Sequence, residues 1–414
     1  MARVLIANLG ESPVVIAALA DALAARGSPV ERVEVLYPGV SGERWIGEGF
    51  RMLAAHLDRR LPQPVDGEKL PFADAATQAD CLAYLRALCA RLERHERAGA
   101  EVILGISGGR KHTSALMAVP ALFYRCVAAL VHLHDRDEQL AGSQLSAHQL
   151  FALGDLQRER AFRPPAERFT LIDLPYGRLS DGPALRRWLA GAEQGERPPP
   201  VVISPRARSF YAELFGDQRS QGAEADVDGG RPLELIATLG DAPMVVTQAH
   251  ALLVARGVPV AGIRAVYPRR NGAIEAGARR LATVCRLRGV PLALTQVEIA
   301  DLSGPADVPP FVAGLRAAVA EARAERPGAE PALLLSGGRK GMAALALAVA
   351  QADGLRRVYH TTIPSPTREA EVMRAYERSA VGSHARLAEL MFLDGADTGD
   401  FALVEVPIVP LAPA

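Results

Sequence analysis

Lysine is almost missing from this chain. Of 47 basic side chains in 414 residues, only Lys69, Lys111 and Lys340 are lysine, and the rest are arginine. Net charge is missing too: 47 acidic side chains balance the 47 basic ones. That balance excludes a broad polybasic surface for nucleic acid or anionic membrane, though not a local basic pocket. The four cysteines, Cys81, Cys89, Cys126 and Cys285, form no CxxC or Cys/His cluster, so no zinc site and no disulfide framework are expected. No apolar stretch reaches the roughly 18 residues of a membrane span, and no leader pattern precedes the first strand-like segment. A cytoplasmic protein that contacts neither membrane nor DNA is the default expectation. Hydrophobic residues make up 49% and charged ones 23%, which is the balance of a folded chain, not a disordered one.

Two of the three lysines end the same five-residue string, Ser107-Gly108-Gly109-Arg110-Lys111 and Ser336-Gly337-Gly338-Arg339-Lys340. A bias that turned nearly every cation into arginine has spared lysine at two matching places. Arginine offers a planar fork, whereas lysine brings a compact ammonium to a phosphate or a reacting oxygen.

The strings belong to a larger duplication. At an offset of 230, residues 5–38 lie over 235–268 without a gap, and 15 of the 34 pairs are identical. Leu9-Gly10 matches Leu239-Gly240, Pro13 matches Pro243, and Tyr37-Pro38 matches Tyr267-Pro268. A third block closes each copy, Phe169–Pro175 against Phe401–Pro407. A repeat of about 175 residues is a whole domain and not a solenoid unit. The organisation expected is repeat 1 over 1–178, a linker or insert over 179–230, and repeat 2 over 231–414.

Within a copy, short apolar runs alternate with helical patterns. Val4–Ala7, Val33–Leu36 and Val102–Ile106 read as strands. Residues 13–25, 43–58 and 76–97 read as helices, and another helix is expected from the Ser-Gly-Gly-Arg-Lys string to about Leu130. Such alternation predicts an α/β fold: two tandem Rossmann-like domains, each a mainly parallel sheet with helices on both faces, packed as an intramolecular pseudo-dimer. Between the copies, Gly191–Pro200 and Gly222–Gly230 are linker-like, while Val201–Ser204 is strand-like.

In an open α/β sheet, ligands collect at the carboxyl ends of strands, where helix N-termini present free N–H groups. Both glycine motifs fall there. Leu9-Gly10-Glu11-Ser12-Pro13 leaves the first strand, and Ser12 is either a phosphate ligand or the cap of the next helix. Its counterpart is Ala242. Ser107–Lys111 leaves a later strand, and its two glycines let several N–H groups face one concavity. Its start is like the Ser-Gly-Gly-x-Asp-Ser loop of ATP pyrophosphatases. The following Lys111-His112 and Lys340-Gly341, and the position about 100 residues into each copy, depart from that loop.

Together the Gly10-x-Ser12-Pro13-x-Val15 turn, the Ser-Gly-Gly-Arg-Lys string and the closing strand resemble the CARF family, the CRISPR-associated Rossmann-fold sensors. The likeness covers both repeats and is strongest to small CARF proteins and ring nucleases. It implies binding of cyclic tetra- or hexa-adenylate between two CARF repeats, without a cofactor or metal. It further implies metal-independent cleavage by attack of a ribose 2′-OH on its own phosphate, with Ser12, Lys111 and Lys340 in catalytic positions. Ligand-binding positions implied are Asn8, Gly10, Ser107, Gly108, Gly109 and Arg110 in repeat 1. Those in repeat 2 are Thr238, Gly240, Asp241, Ser336, Gly337, Gly338 and Arg339. Because the two repeats account for most of the chain, a ring nuclease is expected ahead of a non-catalytic sensor that regulates a partner. An unrelated nucleotide-binding enzyme is a third reading, and further self-association is left open. His112, His132, His134 and His360 are candidate proton carriers. The near-equal spacing from Gly10 to Gly108 (98 residues) and from Gly240 to Gly337 (97) predicts that both turns face one pocket.

Overall fold

Two six-stranded sheets of the same topology build the molecule. The computed structural model describes residues 2–39, 45–122, 124–136, 145–174, 231–379, 382–395 and 398–408. The linker reading of 179–230 therefore lies outside the described residues. The first sheet comprises β1 (Arg3–Asn8), β2 (Arg32–Pro38), β3 (Asp66–Leu70), β4 (Glu101–Gly105), β5 (Val127–Asp135) and β6 (Phe169–Asp173). Its spatial order is β3-β2-β1-β4-β5-β6. The second comprises β7 (Leu233–Thr238), β8 (Val260–Pro268), β9 (Leu292–Val297), β10 (Glu330–Leu334), β11 (Val358–Thr362) and β12 (Ala402–Glu405). Read from β9, its order is β9-β8-β7-β10-β11-β12, the same Rossmann arrangement, reversing direction between the first and fourth strands. Only the closing strand of each sheet runs antiparallel. The strands β1 and β7 are almost wholly buried, as expected of parallel strands covered on both faces. The expected fold class stands.

One local expectation is corrected, and one strand was not anticipated. The helix after Lys111 does not run to Leu130: it spans Lys111–Leu116, gives a further turn at Ala118–Ala121, and yields to β5. Pro120 has no N–H to bond back to residue 116, and Val127–Val131 pairs with β4. The strand β3 had no apolar signal because its Asp66-Gly67-Glu68-Lys69 run is polar. As the edge of its sheet, it is held by its ladder to β2.

The sheets share a core. One apolar cluster runs through Leu116, Met117 and Val119 of repeat 1 and Met342, Leu345 and Leu347 of repeat 2. Helix Lys340–Ala352 is buried on every side from Gly341 onward, so it acts as the spine between the two sheets.

Elsewhere the copies are charge-reversed. Glu34 of β2 is fully buried and bonded by Arg91 at 2.6 Å and His95 at 3.0 Å, both from helix Gln78–Arg97. Burial opposes its charge, but the His95 and Arg91 contacts prevail and hold its pKa at about 2. At the corresponding positions repeat 2 has Arg264 bonded by Glu321 at 2.7 Å and Glu325 at 2.6 Å, from helix Val308–Glu325. Exchanging the two helices would bury like charges together, so each helix is matched to its own sheet.

Candidate ligand-binding site

Where β1 and β4 lie side by side, their outgoing loops meet, and β7 and β10 repeat the arrangement. The glycines are needed for close backbone approach. A Cβ on Gly108 would collide with the carbonyl of Asn8, and one on Gly337 with that of Thr238. Gly109 and Gly338 have φ of 68° and 70°, a left-handed conformation that side chains resist. Each Ser-Gly-Gly turn is thus laid across the end of the first strand. Its serine pins it to the next strand: Leu133 N–H donates to Ser107 Oγ at 2.6 Å, and Thr361 N–H to Ser336 Oγ at 2.6 Å. Those hydroxyls also lie 3.4 and 3.2 Å from Nδ1 of His132 and His360.

The two lysines cross over. Lys111 Nζ donates to the carbonyl of Ser336 at 3.1 Å, and Lys340 Nζ to the carbonyl of Ser107 at 2.6 Å. Each motif thus places its ammonium in the other motif. A cavity of about 650 Å³ opens beside this exchange, mainly against repeat 1. Of the sequence candidates it is lined by Asn8, Gly10, Ser12, Ser107 to Lys111, His132, His134, Asp241, Gly338, Arg339 and Lys340. His112, Thr238, Gly240, Ser336, Gly337 and His360 do not line it. Ser12 does not cap the following helix, whose N-cap position is Pro13. Its Oγ is buried without a hydrogen-bond partner among the described residues.

Arg110 is tied up by carboxylates. It forks onto Glu369 of repeat 2 at 2.9 and 3.0 Å and meets Asp74 at 3.1 Å. Arg339 pairs with Asp301 in the equivalent way. Asp74, Tyr84 and Glu369 escaped the sequence reading although all three line the cavity. For Asp74 a signal existed, since Phe72-Ala73-Asp74 matches Ile299-Ala300-Asp301. Glu369 offered none, because it reaches the site only through packing between repeats.

Burial dominates the electrostatics. It pulls Lys340 down to about 8, helped by Lys111 and Arg110, and it lowers Lys111 against the opposing pull of Asp241. It drives His112 to about 4 and His132 to about 3. His360, whose ring lies 4.2 Å from that of His112, falls well below its usual value. These imidazoles are neutral at pH 7. Unfolded histidines titrate near 6.5, so between pH 6.5 and 4 the unfolded chain binds more protons than the folded one. Stability is complete above 6.5 and drains away as the pH falls. Urea midpoints should therefore drop steadily from pH 7 to pH 5, and a constant midpoint over that range would contradict the buried neutral state.

With the geometry in hand, the comparisons are decisive at the level of family. The model of the family described as CRISPR-associated protein NE0113 matches residues 12–197 and 242–414. The chain belongs to this family. The match covers repeat 1 of the NE0113-family chain from residue 12 and repeat 2 from residue 242. Among curated proteins, none matches it. Among solved structures it is similar to a type III CRISPR defence DNA nuclease activated by cyclic oligoadenylate, with TM-score 0.45 and 13% identity over 87% of this chain and 65% of that one. It is also similar to Enterococcus italicus Csm6 bound to cyclic hexa-2′-fluoro-hexa-dAMP, with TM-score 0.30 and 12% identity over 44% of this chain and 43% of that one. A UDP-N-acetylglucosamine 2-epimerase from Listeria monocytogenes, described as putative, follows at TM-score 0.23 and 12% identity, over 94% and 90% of the two chains. The chain thus spans less than two thirds of the first two. Among the described residues of the NE0113-family chain, no helix is long and apolar enough to cross a membrane.

Proposed function

We propose that this NE0113-family protein binds a cyclic oligoadenylate across its two Ser-Gly-Gly-Arg-Lys turns and cleaves it on the repeat 1 side. The observation that carries the reading is the reciprocal exchange of Lys111 and Lys340 beside one cavity. A ring of phosphodiesters repeats its charges about a symmetry axis, and paired ammonium groups related by a pseudo-two-fold suit it better than a mononucleotide. With Arg110 and Arg339 engaged by carboxylates, the lysines are the cations left to meet phosphate.

In the cut, the ribose 2′-oxygen forms a bond to the adjacent phosphorus while the bond from phosphorus to the 5′-oxygen breaks. One proton leaves the 2′-hydroxyl and one arrives on the 5′-oxygen. The products are a 2′,3′-cyclic phosphate and a free 5′-hydroxyl, with no water consumed. Lys340, ionised at pH 7, would stabilise the extra charge of the five-coordinate phosphorus, its burial strengthening the interaction, and Ser12 Oγ would hold the reacting groups in line.

One observation favours a second reading, a sensor that controls a partner. The lysine–carbonyl bonds tie the two loops together, so a phosphate that draws the ammonium groups away would release that tie and shift the repeats. Incubation of the purified protein with cyclic tetra- and hexa-adenylate in chelator, followed by chromatography, separates the readings. Linear products with 2′,3′-cyclic phosphate ends are expected. Tight binding without cleavage would leave the sensor, and failure to bind either ring would remove both.

A further inference from the structure

The repeat 1 side of the cavity holds a buried donor with nothing to bond. Asn8 ends β1 with 3% exposure, and its Nδ2 has no hydrogen-bond partner among the described residues. An unpaired amide N–H at that depth carries a desolvation cost that a folded protein usually avoids. Its Oδ1 is satisfied, accepting from the hydroxyl of Tyr84 at 2.6 Å. Tyr84 is 1% exposed and lines the same cavity as Asn8. The phenol fixes which way the amide faces. In the reversed orientation Nδ2 would meet the hydroxyl oxygen, and the phenolic proton would lose its acceptor.

Repeat 2 dismantles this arrangement at both positions. Thr238 stands in place of Asn8, and its Oγ1 donates internally to the carbonyl of Gly337 at 2.7 Å. At the offset that matches Asp74 with Asp301, the fully buried Phe311 stands in place of Tyr84, and it carries no hydroxyl. One copy therefore consumes its polar group inside the fold, while the other keeps a donor oriented and free.

We propose that Tyr84 is a positioning residue that holds the Asn8 amide so that Nδ2 donates to a phosphate or ribose oxygen of the ligand, an anchor only repeat 1 possesses. The inference rests on the ligand reading above and deepens it. Ser12 Oγ, the other unpartnered polar atom of that turn, belongs to the same half-site. The ring is then held unequally: one nucleotide is gripped by Asn8, and its pseudo-symmetric partner meets a surface already satisfied.

The test is a double-mutant cycle in ligand affinity, by calorimetry with cyclic tetra-adenylate and cyclic hexa-adenylate. Heat from wild type with either ring establishes the parent reading, and no heat with both removes it together with this inference. Given binding, Asn8→Ala should weaken it by about 5- to 50-fold, the scale of one hydrogen bond to a charged or strongly polar oxygen. Tyr84→Phe should weaken it by a similar or smaller factor, and it should add nothing in the Asn8→Ala background. The cycle reads coupling through Asn8, which loss of a merely structural hydroxyl would not produce. Asn8→Thr with Tyr84→Phe copies the repeat 2 threonine, which can donate to the Gly108 carbonyl, and it supplies a folded comparison if a single variant melts early. It should bind as weakly as Asn8→Ala. Wild-type affinity in Tyr84→Phe or in the Asn8→Thr pair, or effects of the two single changes that simply multiply, would overturn the inference.

Discussion

Replacing Lys111 and Lys340 together with methionine is expected to weaken cyclic oligoadenylate binding by on the order of a hundredfold or more. Each ammonium, facing a phosphate in a partly buried site, is worth about 1–3 kcal/mol. The same variants should report on the unliganded protein in the opposite direction. Lys340 has a folded pKa of about 8 against its usual 10.5, lowered by burial and then by Lys111. Below pH 8 its ammonium costs stability in full, by at most about 3 kcal/mol. That cost fades as the pH rises from 8 towards 10.5, where the unfolded lysine also loses its proton. Lys340→Met should therefore melt several degrees above wild type at pH 7, with the gap closing by about pH 10.5. Comparing variant with wild type cancels the buried thiols Cys81 and Cys285, which burial pushes up to about 12 and which pull in the other direction. Ligand affinity of the wild type should decline above pH 8 as the ammonium discharges, and Lys340→Met should lack that decline. A methionine variant that melts lower and binds as tightly as wild type would show that the lysines are structural ties.

Ser12→Ala is expected to slow cleavage by on the order of ten- to a thousandfold while binding is largely retained, because a positioning contact made mainly in the transition state is lost. The hydroxyl is buried, unpartnered among the described residues and absent from the cap of its helix, so its removal should leave melting within about 1 kcal/mol of wild type. Repeat 2 has Ala242 at this position, so only the half of the ring served by repeat 1 should be cut quickly. A linear intermediate should then accumulate before any second cut, visible in a chromatographic time course. Full activity in a normally folded Ser12→Ala protein would rule out this role, and equal rates for both cuts would rule out the asymmetry.

Much of the fold was legible because it was written twice. An offset of 230 between copies, apolar runs stopping at glycine, and helices of ordinary length between them prescribe a duplicated parallel sheet. The glycine motifs announced their place at the strand ends because only glycine tolerates the left-handed φ and the contact with a strand carbonyl found there. The polar edge strand β3 was not legible, since its Asp66–Lys69 run carries no apolar signal and it is held by its ladder to β2 and by ion pairs from Arg32 and Arg91. The extent of the helix after Lys111 was misjudged because an apolar run suits a helix and a buried strand equally.

The sequence by itself determined the duplication, the strand and helix order around the first-strand turn, and the two lysine-bearing turns. It also showed that Ser12 and His112 have no counterpart in repeat 2. The tertiary structure alone decided that the lysines exchange places, that Glu369 of one repeat neutralises Arg110 of the other, and that Tyr84 orients Asn8. The reason is one of range. Local order follows from backbone sterics and periodicity over a few residues, whereas Lys111 and Ser336 meet only because two sheets pack through the shared helix Lys340–Ala352, and no spacing in a linear chain encodes that distance.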